Sequence, residues 1–249
     1  MLTPHTANAN PIPILTYHQI AAAPADGAPF RSLYVSPAAF ARQMALLKFL
    51  GYRGLSMTAL LPYLRGEKAG KVVGITFDDG YLNNLTNALP VLARHGFSAT
   101  CYAVSQLLGK TNVWDSGLGI EQTPLMNARQ VRQWVEAGQE IGAHTRHHVH
   151  LPQSTDPTCK LEIELCRSEL QTAANAEVNH FCYPFGEFLV SHVAAVRQTG
   201  YLSATTTQRG RCKSGEDWML LPRVPVLRST TLGVFWLKLA TRYEDGRRV

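Results

Sequence analysis

The chain has 249 residues, a formal net charge of +6, 45% hydrophobic and 17% charged residues. That length and balance suit one sizeable folded core and exclude a disordered chain. The basic residues are scattered, with only short pairs such as Arg247 and Arg248, so no nucleic-acid-binding stripe is present and no nucleic-acid partner is expected.

Strands and helices alternate along the chain. A first strand is predicted over residues 12–17, apolar and bounded by prolines. Ser36 then offers an N-cap, with Pro37 at the first helical position. Phe40, Met44, Leu47 and Leu50 follow at helical spacing, and Gly51 stops the helix. A short strand near 52–56, a helix to Leu64 and a strand over 71–77 come next. Leu82, Leu85, Leu89 and Leu92 make one helical stripe, ended by His95 and Gly96. A strand over 98–104 precedes a helix with Val131, Trp134 and Val135 on one face, then a strand over 140–144. A helix over 158–174, the strand HFCYP, a helix over 190–198 and a strand over 201–205 complete the pattern. No repeat or linker divides the chain, so a single domain over 1–249 is expected, with 1–11 a flexible N-terminus. Six or seven strand–helix units argue for an α/β fold whose parallel sheet is closed, or nearly closed, into a barrel.

The five cysteines (Cys101, Cys159, Cys166, Cys182 and Cys212) are odd in number and form no CxxC pair, against both a disulfide framework and a structural zinc site. The N-terminus has no charged start, long apolar core or small-residue cleavage site. No apolar run approaches the ~18 residues of a membrane span. The expectation is a cytoplasmic protein with reduced, buried thiols. The C-terminal TLGVFWLKLATRYEDGRRV reads either as a docking helix or as an amphipathic contact with an anionic membrane.

The chemistry concentrates at predicted strand ends. In GITFDDGYLNN an apolar strand finishes on two adjacent carboxylates, Asp78 and Asp79. Like charges in one site raise each other's pKa, so the pair is either a solvated turn or half of a cation site. HTRHHVHL supplies histidines at 144, 147, 148 and 150. His144 and His148 are four apart, so one helical turn would stack their imidazoles on one face toward a metal, and a carboxylate would complete a three-ligand site. A solvated histidine-rich loop is the alternative, and His147 and His150 leave the pairing open. The YPFG turn, residues 183–186, falls at a third strand end, so three clusters distant in sequence converge on one barrel face.

In this order TFDDG, HTRHH and YPFG resemble the polysaccharide deacetylase family, carbohydrate esterase family 4 with its NodB homology domain. LTYHQI, SPAAFARQMALLKFLGYRGLSM, VWD, VEAGQEIGAHT and LPRVPV extend the resemblance over most of the chain. Its early YH and proline–aromatic–glycine turn are most similar to the branch that deacetylates poly-N-acetylglucosamine. The resemblance implies a deformed (β/α) barrel of about seven units. It also implies metal-dependent removal of N-acetyl groups from N-acetylhexosamine units of a glycan, with one divalent ion, zinc expected. It assigns Asp79, His144 and His148 as metal ligands and Asp78 as the base toward a metal-activated water. The backbone N–H of Phe185 becomes the oxyanion donor, in a turn fixed by Pro184 and Gly186 and shared with Tyr183.

Two departures stand out. Cys182 occupies the position where many members place an arginine that tethers the catalytic aspartate; Arg223 is a candidate substitute, or a structural arginine. No histidine follows His192, which closes the C-terminal general-acid route of many members. In the similar branch an early histidine takes that role, here His18. Trp114 and Asp115 are candidates to line the sugar cleft, or packing residues. The glycan, polymeric or lipid-linked, stays open. So do a small-amide hydrolase on the same fold and an inactive, metal-retaining glycan-binding barrel.

Overall fold

The computed structural model describes residues 11–247, so the N-terminus expected to be flexible lies outside the described residues apart from Pro11. Its frame is a barrel of parallel strands. These are β1 (Ile14–Tyr17), β5 (Val72–Phe77), β6 (Thr100–Ala103), β7 (Glu140–Ala143), β8 (His180–Cys182), β9 (Ser203–Arg209) and β10 (Leu221–Pro225), and β1 closes the ring by pairing with both β10 and β5. Outside this ring lie β2 (Gln19–Ile20) paired with β3 (Tyr34–Val35), and β4 (Arg53–Leu55). One edge of β5 is shared: β4 pairs with Val72–Gly74, and β6 only with Thr76 and Phe77. That split edge deforms the barrel. Every residue of β5 is buried, as its near-continuous apolar run requires of a strand covered on both faces.

Helices wrap the outside: α1 (Pro37–Phe49), α2 (Met57–Leu64), α3 (Leu89–His95), α4 (Ala128–Glu136), α5 (Asp156–Ala174), α6 (Val190–Gln198) and α7 (Leu232–Ala240). Their starts follow from local chemistry. Ser36 accepts a hydrogen bond from the Ala39 N–H with Pro37 at the first helical position, and Asn127 and Gln130 form a reciprocal capping box on α4. Gly96 ends α3 in the left-handed region, as expected of a helix terminator. The leucine stripe from Leu82 is not one regular helix; a wide π-type turn over Asn84–Ala88 precedes α3.

The sequence pattern missed β10. Pro222 and Pro225 withhold ladder donors and disguise LPRVP as a loop. A register shift between Leu221 and Arg223 marks a bulge on this strand, and Arg223 is buried. All five cysteines are buried, with no disulfide among the described residues. The C-terminal segment forms α7, which packs on α1 with Phe235 and Leu239 buried, so docking is its observed role; Trp236 stays half-exposed. Among the described residues no helix is long and apolar enough to cross a membrane.

Candidate metal centre

The carboxyl ends of β1, β5, β7 and β8 bring His18, Asp78, Asp79, His144 and the YPFG turn to one cleft. Three residues that line it, Asp79, His148 and Phe185, and the buried Thr145 behind them have φ between 57° and 73°. Such conformations strain residues other than glycine, most of all the β-branched Thr145, and concentrate where backbone geometry serves a site. Gly186 must be glycine: at its φ of 74°, a Cβ would fall 1.8 Å from Thr207 Oγ1.

His144 and His148 do converge, but not on a helical turn. The segment after β7 is a loop, in which the Thr145 hydroxyl accepts the His148 N–H at 3.0 Å and both residues are left-handed. His144 Nε2 lies 3.4 Å and His148 Nε2 3.3 Å from the same Asp79 oxygen. His144 Nδ1–H donates to the Cys182 carbonyl at 2.7 Å, which turns Nε2 to Asp79; burial lowers the His144 pKa, but Cys182 and Asp79 outweigh it and raise it well above the ordinary value while no cation is bound. His148 Nδ1 is buried without a hydrogen-bond partner among the described residues. Burial pushes the Asp79 carboxyl up, yet the two imidazoles outweigh it and hold it well below the usual carboxylate range. Burial lowers His148, favouring the neutral ring a ligand needs.

This set fits a metal ion. Ligands ~2.0–2.1 Å from a tetrahedral centre stand ~3.3–3.4 Å apart, as the Asp79 oxygen does from each imidazole nitrogen, and all three donor atoms lie within 4.8 Å of one another. His147 faces elsewhere: its Nδ1 meets Glu162 at 2.6 Å and its ring is half-exposed. His150 pairs with Glu187 at 2.8 Å and stacks on Phe185 at 3.8 Å.

Asp78 is held apart from Asp79 by a different partner. Arg223 donates to both of its oxygens at 2.7 Å, and its remaining donors reach Thr206 O, Thr76 Oγ1 and Cys182 Sγ. Every N–H of this buried guanidinium is thus satisfied. Burial pushes Asp78 up, but Arg223 outweighs it and holds the carboxyl below its ordinary value. Cys182 leaves the room that the guanidinium fills from β10.

His18 Nε2 lies 3.9 Å from Asp78 Oδ2, with its side chain about one-quarter exposed. Phe185 and His148 meet edge to face at 4.5 Å, and Trp114 stacks on the His148 ring at 4.2 Å. In the YPFG turn the Gly186 and Glu187 N–H groups are bonded to Tyr183 and Pro184 carbonyls, whereas Phe185 N–H makes no hydrogen bond among the described residues. Tyr183 borders the cleft, but its ring is buried between Phe181 and Phe188, a wall rather than a presented donor. Asp115, beside Trp114, accepts from Asn112 at 3.1 Å, and burial together with Asp79 raises its pKa.

The chain is similar to known proteins of one family. Residues 65–204 match the family model described as polysaccharide deacetylase. The chain is 27% identical over 217 residues to YxkH of Bacillus subtilis (strain 168), named as a polysaccharide deacetylase, covering 86% of this chain and 71% of that protein. The solved structure of BC0361, a polysaccharide deacetylase from Bacillus cereus, superposes with a TM-score of 0.78 at 27% identity, covering 92% of this chain and 69% of that one. The Streptococcus pyogenes deacetylase PplD, solved in complex with acetate, shares the fold with a TM-score of 0.81 at 23% identity, covering 93% and 99%.

Proposed function

The chain belongs to the polysaccharide deacetylase family, hydrolases of carbon–nitrogen bonds, and from that premise we propose that it removes N-acetyl groups from N-acetylhexosamine units of a glycan with one divalent ion. The observation that carries this reading is the convergence of Asp79, His144 and His148 at ligand spacing, beside an Asp78 already neutralised by Arg223. Two imidazoles and one carboxylate are the donor set of open catalytic zinc sites, so zinc is the ion we assign. Such an ion, when bound, supplies Lewis-acid polarisation of the amide carbonyl and activation of water at neutral pH.

The chain's own groups do the rest. Asp78, kept ionised and oriented by Arg223, takes a proton from the attacking water. The Phe185 N–H, freed of internal partners by its left-handed backbone, donates to the oxyanion that develops on the carbonyl. His18, whose Nε2 lies 3.9 Å from Asp78 Oδ2, donates a proton to the leaving nitrogen. Trp114 and Phe185 offer aromatic faces to the sugar ring.

Acetate release from poly-N-acetylglucosamine and from chitooligosaccharides, with and without a chelator, tests the proposal. Release that the chelator abolishes and added zinc restores is expected. A metal-loaded protein that binds these glycans without releasing acetate would instead be a glycan-binding barrel.

A further inference from the structure

The chain carries 24 lysines and arginines, yet among the described residues none lines the cleft, and three carboxylates do. Asp78 is compensated by Arg223, and Asp79 faces two imidazoles. Asp115 has no ion-pair partner among the described residues. The only side-chain hydrogen bond to its carboxylate among them is from Asn112 Nδ2, at 3.1 Å to Oδ2, while its backbone N–H donates to the Asn112 carbonyl at 3.0 Å. Asn112 is itself fixed: it is buried, and its carbonyl accepts the Thr123 N–H at 2.7 Å. The carboxylate is therefore held in place on the wall, next to the Trp114 ring that stacks over His148, with Oδ1 open. Arginines adjacent in sequence to cleft or loop residues are engaged elsewhere, Arg31 with Asp26 and Arg146 with Glu169.

We propose that Asp115 reads an ammonium group on the glycan, so that the cleft favours chains in which a unit near the acetylated one already carries a free amine. The inference rests on the deacetylase reading. Hydrolysis of R–NH–CO–CH3 by one water gives acetate and R–NH2, and the amine takes a proton at neutral pH to become R–NH3+. Each turnover thus creates the group that this fixed carboxylate can accept as a charge-assisted hydrogen bond. A fully acetylated chain offers only hydroxyls and amides there. A glycan bearing carboxylates meets like charge and is disfavoured, which is discrimination by repulsion as well as attraction. Deacetylation would then proceed in blocks, each product unit improving the hold on its neighbours.

The test is binding by titration calorimetry of the zinc-loaded protein to three tetrasaccharides. One is fully acetylated N-acetylglucosamine, one has a single free amine, and one carries a single carboxylate. The expected order is amine-bearing tightest by roughly 10-fold, acetylated next, carboxylate-bearing weakest, with the first gap closing at high salt. Asp115→Asn should shrink the amine-to-acetyl ratio to within about 2-fold, and Asp115→Glu should keep part of it. Equal affinities in the unaltered protein, an undiminished ratio in Asp115→Asn, or no binding of any tetrasaccharide would overturn the inference. Acetate release is read from the same samples. Release without the affinity ratio sinks this inference alone, and the ratio without release from any tetrasaccharide sinks the deacetylase reading instead.

Discussion

Histidines meet carboxylates at both ends of the barrel, but the two clusters are built differently. At the amino ends of β6 to β9, His180 Nδ1 pairs with Ser203 Oγ at 2.8 Å and its Nε2 with Thr58 Oγ1 at 2.9 Å. Glu140 accepts from the Thr58 N–H and from the hydroxyls of Thr58 and Thr100. Every ring nitrogen has a protein partner, and the backbone there is unstrained. At the carboxyl ends, His148 Nδ1 has none among the described residues, one Asp79 oxygen faces two imidazoles, and four non-glycine residues at or behind the cleft sit at positive φ. A satisfied buried network is self-sufficient and holds the fold. An unsatisfied one on a strained frame is arranged for something the chain itself does not supply.

Mutations that separate these two ends sharpen the contrast. The largest loss of turnover is expected from Asp78→Asn, which keeps shape and removes the base: at least ~10²-fold in kcat, with metal content retained. Near-normal activity in a metal-loaded variant would remove Asp78 from that role. His18→Ala should lose up to ~10²-fold toward an N-acetyl substrate but less toward an aryl acetate ester, whose phenolate leaves without protonation. Equal losses on both substrates would make His18 a binding or structural residue.

Arg223→Lys should act more gently, about 10-fold near neutral pH, and its signature is a pH profile. Arg223 depresses the Asp78 pKa, so its stabilisation is present above the ordinary carboxylate range and is lost as pH falls through the depressed value. Weakening the fork lets burial raise Asp78, so the acid limb of kcat/KM should move to higher pH; an unmoved limb would contradict the tether. The smallest effect on turnover is expected at the other end. His180→Ala should cost about 1–3 kcal/mol of stability in denaturant melts, with activity per folded molecule within roughly 2-fold. A large loss of activity without a loss of stability would erase the distinction between the two clusters.

Much of this was legible in the sequence, for local reasons. Ser36–Pro37 begins α1, the apolar run to Phe77 is β5, and the two aspartates do end that strand at the cleft. The His144–His148 pairing also emerged, though by a helical spacing the chain does not use; the loop reaches the same juxtaposition through left-handed Thr145 and His148. Arg223 was legible only as an alternative, because two prolines hid its strand and a bulge, which no periodicity reports, accompanies its burial. The His180–Glu140 network left no signal at all. Its members begin neighbouring strands, and their contacts depend on the order in which the barrel sets those strands side by side.

The central claim is that Asp79, His144 and His148 form the metal centre while His147, one residue away, does not. Elemental analysis of His148→Ala and His147→Ala, each dialysed against buffered zinc, tests it most directly. The account predicts about one zinc per chain in His147→Ala, as in the unaltered protein, and a loss of at least ~10-fold in metal affinity in His148→Ala. Zinc retained by His148→Ala and lost from His147→Ala would contradict it.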